Sequence, residues 1–375
     1  MPKITIVGAG FGALNAVRTL RRLDRDIGID LVSPRPVFVY YPGSIWVPTG
    51  QRKPEDLEVD LRPFFDRMNV DYHPARARGL ENDGRRLLTD NGAIDNDGLI
   101  LAGGASFLRT IPGLEHTVLP CAEVQTIAKM RDRLHSLQEG TLAFGFAGNP
   151  NEPSALRGGP VFEFMFGIET WLRRNDKRDR FKLVFFSPAE KPGQRLGGKA
   201  VERMTDQMTR RGIEMRLGEK PVRFEPDRVH TSAGDFESQL TLFMPGLTGG
   251  DWFERTGLKI SPGGLIKGDE YCRADGAERV YVVGDAGSYA GPDWLPKQGH
   301  TAENQARAAS RNLLRELGGR DPDRRFKPEL VCIVDLQDKA ILVTRNARRN
   351  FVTPPLSALH WVKRAFEWNY KRRFR

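Results

Sequence analysis

Residues 3–7, Lys-Ile-Thr-Ile-Val, read as a buried strand that runs directly into Gly8-Ala9-Gly10-Phe11-Gly12-Ala13. Val17, Leu20 and Leu23 then recur at helical spacing. A strand ending in Gly8-x-Gly10-x-x-Ala13 and resuming as a helix is the fingerprint of a dinucleotide-binding turn. Its glycines permit a tight turn and close backbone approach to a pyrophosphate, which the helix N-terminus then faces. A second strand over 29–32 completes a βαβ start, which asks for an α/β fold with a parallel sheet. Where an acid ordinarily ends this strand and binds ribose stands Ser33, followed by Pro34 and Arg35. A hydroxyl can still hydrogen-bond ribose, and Arg35 can reach adenine or phosphate.

The same alternation continues along the chain. The loop 33–54 contains Tyr40-Tyr41-Pro42-Gly43-Ser44-Ile45-Trp46 and is too long and aromatic for a plain connector. A helix is expected over 59–68, with short strands at 70–72, 86–89 and 99–102. A second unit opens near Cys121 with a helix over 121–137, a strand over 141–147, an apolar helix over 160–174, a strand over 182–186 and a helix over 196–212. Residues 280–283 form a strand ending in Gly284-Asp285. An Ala-rich helix over 297–317, two strands within 328–344 and an amphipathic helix over 356–374 follow.

At 375 residues and 39% hydrophobic the chain has length for two or three domains and is not disordered as a whole. Three cysteines cannot staple a secreted module. No run nears the ~18 apolar residues of a membrane span, and with a first element at residue 3 no signal peptide is expected. The six histidines show no metal-ligand spacing, and no Ser/His/Asp arrangement stands out, so no metal site is expected.

Two further segments say which dinucleotide is bound. Leu99-Ile100-Leu101-Ala102-Gly103-Gly104 and Val280-Tyr281-Val282-Val283-Gly284-Asp285 resemble, together with the N-terminal turn, the FAD half of the two-dinucleotide-binding flavoproteins. In those proteins the late Asp holds the ribitol of FAD. The second unit has no matching cradle for NAD(P)H. Gly145-Phe146-Ala147-Gly148-Asn149-Pro150 places Pro150 and Pro153 where a helix would start, and Phe185-Phe186-Ser187-Pro188 lacks the acid.

More closely, the chain is similar to the sulfide:quinone oxidoreductase and flavocytochrome c sulfide dehydrogenase group. The aromatic loop with Pro42 and Gly43 resembles the one passing over the flavin there. Gly159-Pro160-Val161-Phe162-Glu163 resembles a segment opening the second unit's helix, and Pro296-Lys297-Gln298-Gly299 the turn beside the flavin pyrimidine and quinone site. Cys332 has the setting of the second redox cysteine, and Cys121 that of an accessory one. The resemblance implies FAD, a small sulfur or thiol donor and membrane quinone as acceptor. It also implies an FAD-binding part over 1–115 and 271–325, a second Rossmann-like domain over 116–270, and a C-terminal domain over 326–375.

One departure is prominent. The group's disulfide partner for the late cysteine falls where this chain has Leu156 and Arg157, and a disulfide needs Cα atoms within ~7 Å. Cys332 is left to act as a single thiolate or to exchange sulfur with Cys121. Arg157 facing the flavin would favour an anionic or thiol-bearing donor over sulfide itself. Lys297 is either a solvated lysine at a helix start or a cation supporting reduced flavin. Glu163 is either a proton carrier or an ordinary carboxylate near a helix N-terminus.

The net charge of +10 is unevenly placed. Residues 345–375 hold nine basic side chains against one acid, Glu367, and so account for +8. A nucleic-acid binder would spread its basic face over the fold, and no nucleic acid is expected as a partner. Leu359, Val362, Phe366, Tyr370 and Phe374 make one helical stripe flanked by Trp361 and Trp368, with six basic residues around it. This pattern over 358–375 fits an interfacial helix on an anionic membrane surface, set off from the body by Pro354-Pro355. A peripheral protein on the cytoplasmic side is expected, and a basic dimerisation tail or other homo-oligomer contact stays open.

Overall fold

The computed structural model describes all 375 residues. The N-terminal strand Lys3–Val7 sits at the centre of a five-stranded parallel sheet, in the order Val280–Val282, Gly98–Leu101, Lys3–Val7, Gly28–Ser33, Asp71–Pro74. Helix α1 (Phe11–Leu23) leaves the glycine turn and packs on this sheet. The chain thus returns to its first sheet some 180 residues after leaving it, as the three-segment flavin resemblance requires. The second sheet is also parallel, in the order Glu214–Leu217, Phe181–Ser187, Gly140–Phe146, Leu240–Met244. Its strands are apolar on both faces because helices cover one side and the antiparallel strands Pro221–Glu225, Arg228–Thr231 and Gly234–Glu237 cover the other.

Most expected elements stand within a few residues of their predicted ends, with one correction between 59 and 68. Glu58–Asp60 is a strand paired with Val37–Val39, Phe38 opposite Val59. Helix α2 covers only Arg62–Met68. Val59 is buried beneath the aromatic loop as a strand residue, and Pro63 suits the first turn of a helix, not its interior. Helix α3 (Val124–Ser136), helix α4 (Gly159–Arg174) and helix α5 (Gly198–Arg210) all pack into the core on one face of the second sheet. Helix α6 (Gly299–Leu317) packs against α1.

The C-terminal part forms a three-stranded antiparallel sheet of Leu330–Asp335, Ala340–Arg345 and Asn350–Val352, followed by helix α7 (Ser357–Arg372). The third strand, only three residues long, has no sequence signal strong enough to announce it.

Helix α7 corrects the sequence reading in two ways. It is not set off from the body: Leu356 and Ala340 exchange both backbone hydrogen bonds across the Pro354-Pro355 turn. Nor is its apolar stripe continuous. Tyr370 and Phe374 are buried against Phe11 and Phe38, with ring centroids 5.3 Å (Phe11–Tyr370) and 5.5 Å (Phe38–Phe374) apart. Its inward face is largely charged. Glu367 receives Lys371 at 2.7 Å and Arg52 at 3.0 Å, while His360 meets Asp335 at 2.9 Å. The outward face is apolar: Trp361 is 65% exposed, Trp368 59%, Val362 51% and Phe366 50%. Partners for the buried charges of the helix come from segments as distant as Arg52 and Glu163, which is why the helix alone reads as a lipid-facing cation stripe.

Candidate active site

The two parallel sheets and α7 enclose a cleft of about 1590 Å³, larger than the ~300–1,000 Å³ of an ordinary small-ligand pocket. One wall is the glycine turn with Gly10, Phe11 and Gly12, the strand exit Ala102-Gly103-Gly104, and Gly284-Asp285. The opposite wall carries Cys121, Arg157 and the start of α4 with Glu163. Cys332 and Lys363 close the end nearest α7, and Pro42 lies on the aromatic loop above. Helices α1, α4 and α6 all begin on this cleft, none with an acid in its first turn or a side chain capping it. Three uncapped N-termini make it a place for anions.

The turn is built for a dinucleotide. Gly8 has φ +112°, and a Cβ there would run into the Ala102 carbonyl oxygen. A Cβ on Gly12 would come within 2.9 Å of Val283, whereas one on Gly10 would meet only open cleft. Ala13 is buried behind them in α1. Gln305 accepts the Gly284 N–H at 2.8 Å and fixes the second turn. Beside it the buried Gln298 Nε2 and Thr301 Oγ1 have no partner in the protein, and a dinucleotide lying across Gly284-Asp285 would supply acceptors. These residues fit FAD.

Not every predicted residue lies here. Ser33 donates its hydroxyl to the Arg35 carbonyl at 2.9 Å, and Arg35 reaches Glu58 at 3.4 Å on the surface. Neither lines the cleft. Gly43 packs beneath Leu57 and Glu367, so its smallness serves the docking of α7.

The three cysteines are free thiols. Cys272 is fully buried in the core. Burial pushes the Cys332 thiol up to about 12, Glu163 adding to the rise against Lys363, so it rests as a neutral thiol and not the expected thiolate. Burial also raises the Cys121 thiol, but the positive charge of the Arg157 guanidinium opposes the rise. Tyr41 borders the same point, donating to the Ala122 carbonyl at 3.2 Å. Arg157 is in addition ion-paired with Asp285 across the cleft.

Lys297 donates to the Gly287 carbonyl. Burial chiefly, with Arg195 and Arg157 adding to it against Glu152, lowers its ammonium to about 7. Glu163 is neither a free carboxylate nor a simple helix-start acid. It is ion-paired with Lys363 of α7 and accepts the Asp335 N–H at 2.8 Å. The Lys363 contribution was missed from sequence, since 200 residues separate the pair and only the fold joins them. No group of three His, Cys, Asp or Glu side chains is arranged to hold a metal ion.

Residues 186–306 match the family model described as pyridine nucleotide-disulphide oxidoreductase. The sulfide-quinone reductase of Aquifex aeolicus is 23% identical over 97% of this chain and 89% of its own length. The structure of the Aquifex sulfide:quinone oxidoreductase superposes with a TM-score of 0.91 at 21% identity, covering 100% of this chain and 92% of that one. The chain is an FAD-dependent oxidoreductase with the pyridine nucleotide-disulfide oxidoreductase fold. A type II NADH:quinone oxidoreductase of Staphylococcus aureus is 20% identical over 84% of this flavoprotein and 83% of its own length. No helix of the flavoprotein is long and apolar enough to cross a membrane.

Proposed function

We propose that this flavoprotein passes electrons from sulfide or another small sulfur or thiol donor to a membrane quinone. The observation that carries the reading is a single cleft uniting the dinucleotide turn, two free thiols and the underside of a helix whose outer face is apolar. When bound, FAD supplies two-electron redox chemistry between donor and acceptor. The chain's own residues do the rest. Cys121 and Arg157 meet the donor, Cys332 lines the same cleft, and the Glu163–Lys363 pair stands between cleft and helix as a fixed, proton-bearing contact. Trp361, Val362, Phe366 and Trp368 lie in the interface of the membrane that holds the quinone, with Arg372 and Arg375 exposed beside them for anionic headgroups.

Reduction by NADH is the second reading, favoured by the relative from Staphylococcus aureus. The second sheet speaks against it. After Phe146 the chain turns through Asn149, whose side chain donates to the Leu247 and Gly263 carbonyls at 2.9 and 3.0 Å, and α4 resumes only at Gly159. A pyrophosphate cradle needs a short glycine turn between strand and helix. Anaerobic addition of sulfide, thiols or NADH to the yellow protein separates the readings by which one bleaches the flavin.

A further inference from the structure

The wall that carries Cys121 and Arg157 is more cationic than a dinucleotide turn requires. Arg157 pairs with Asp285 and lines the same cleft as Cys121. A guanidinium has five donors in a planar fork, so the Asp285 pair leaves it donors for a further anion. Arg195 is half-buried in the same cleft and donates to the Ser154 carbonyl at 3.0 Å. Arg345 lies over the Trp294 ring, 5.1 Å from its centre, and donates to the Arg195 carbonyl at 2.9 Å. Lys297 lines the same cleft as Arg157 and Arg195. The acids on this side are Asp285, held by Arg157, Glu163, held by Lys363, Asp293 at the mouth, and Glu152 near Arg195. A hydrosulfide ion is a point charge with no second group to reach a cation several ångströms away, and it leaves most of such a wall unused.

We infer that Cys121 and Arg157 form a combined thiol and anion subsite, whose ligand is a small thiol carrying its own carboxylate or phosphate. Arg157 is the residue that sets this preference. The inference rests on the sulfur-donor reading above and narrows it: the thiol end meets Cys121, and the anionic end is received by Arg157 with Arg195 behind it.

The test needs no turnover. The flavin-loaded enzyme is treated separately with iodoacetate and iodoacetamide, reagents of near-equal size that differ in charge, and modification is mapped by mass spectrometry at Cys121, Cys272 and Cys332. Iodoacetate is expected to be favoured at Cys121 by about tenfold over the ratio at Cys332, the size of one charge-assisted hydrogen bond. Arg157→Gln should abolish that preference and Arg157→Lys keep part of it, with flavin content checked by absorbance. Should Arg157→Gln not retain flavin, propionate protecting Cys121 of the unaltered enzyme from iodoacetamide, where propionamide does not, is the expected second result. Equal iodoacetate-to-iodoacetamide ratios at Cys121 and Cys332, a preference at Cys121 unmoved by Arg157→Gln, or protection by both amide and acid would overturn the subsite. An enzyme that shows the preference yet is not reduced by any sulfur donor keeps the subsite and loses the electron-transfer reading.

Discussion

Two residues of the flavin wall carry opposite kinds of constraint, one steric and one electrostatic. Gly8 sits at φ +112° with the Ala102 carbonyl where a Cβ would be, so Gly8→Ala should purify without flavin, seen as loss of visible absorbance. Lys297 is held near 7 by burial and by Arg195 and Arg157. From about 7 up to the ordinary lysine value of 10.5 the unfolded chain keeps a proton that the folded chain has released. Stability of the flavin-free protein should therefore rise with pH across that window, and below it the folded chain bears a buried charge at full cost. Lys297→Met is expected to flatten the rise, measured as urea midpoints from about pH 7 to about pH 10. A slope unchanged by the substitution would mean that other groups carry it. The glycine was legible because a fingerprint fixes its conformation; the lysine's shift was not, because Arg157 and Arg195 come near it only in the folded chain.

At the scale of the element, α7 is where sequence and structure part most. Its spacing announced a helix, and the contrast of aromatic and basic residues announced two faces, but not which face turns inward. Each inward charge has a partner from elsewhere in the chain, such as Glu163 for Lys363 and Arg52 for Glu367. Removing one member strands the other, so Lys363→Met should cost about 3–5 kcal/mol in denaturant unfolding. Adding Glu163→Gln, which still accepts the Asp335 N–H, should return most of that loss. Trp361→Ser with Trp368→Ser should release the protein from anionic liposomes in a flotation assay while shifting stability by less than about 0.5 kcal/mol per site, as exposed positions do. Continued flotation of that variant would remove the helix from the membrane account. Truncation at 356 is the poorer experiment, because Tyr370 and Phe374 leave the core with the helix.

Across the whole molecule, the parts readable in advance were those whose chemistry is local. The three segments at 8–13, 99–104 and 280–285 each pair a strand with a turn, and they meet at one end of one sheet. The roles of Arg157 and Glu163 were not local. Each acts through a partner more than a hundred residues away, Asp285 and Lys363, and no periodicity carries that information. What the fold assembles is a route from a cationic, thiol-bearing wall, past the dinucleotide turn, to the underside of an apolar-faced helix. The most direct test of that route is anaerobic titration of the flavin-loaded protein, followed by flavin absorbance. Sulfide or an anionic thiol is predicted to bleach the flavin, and a soluble quinone added afterwards to restore the colour, with NADH leaving it yellow. Rapid bleaching by NADH, with sulfur donors inert, would contradict the account.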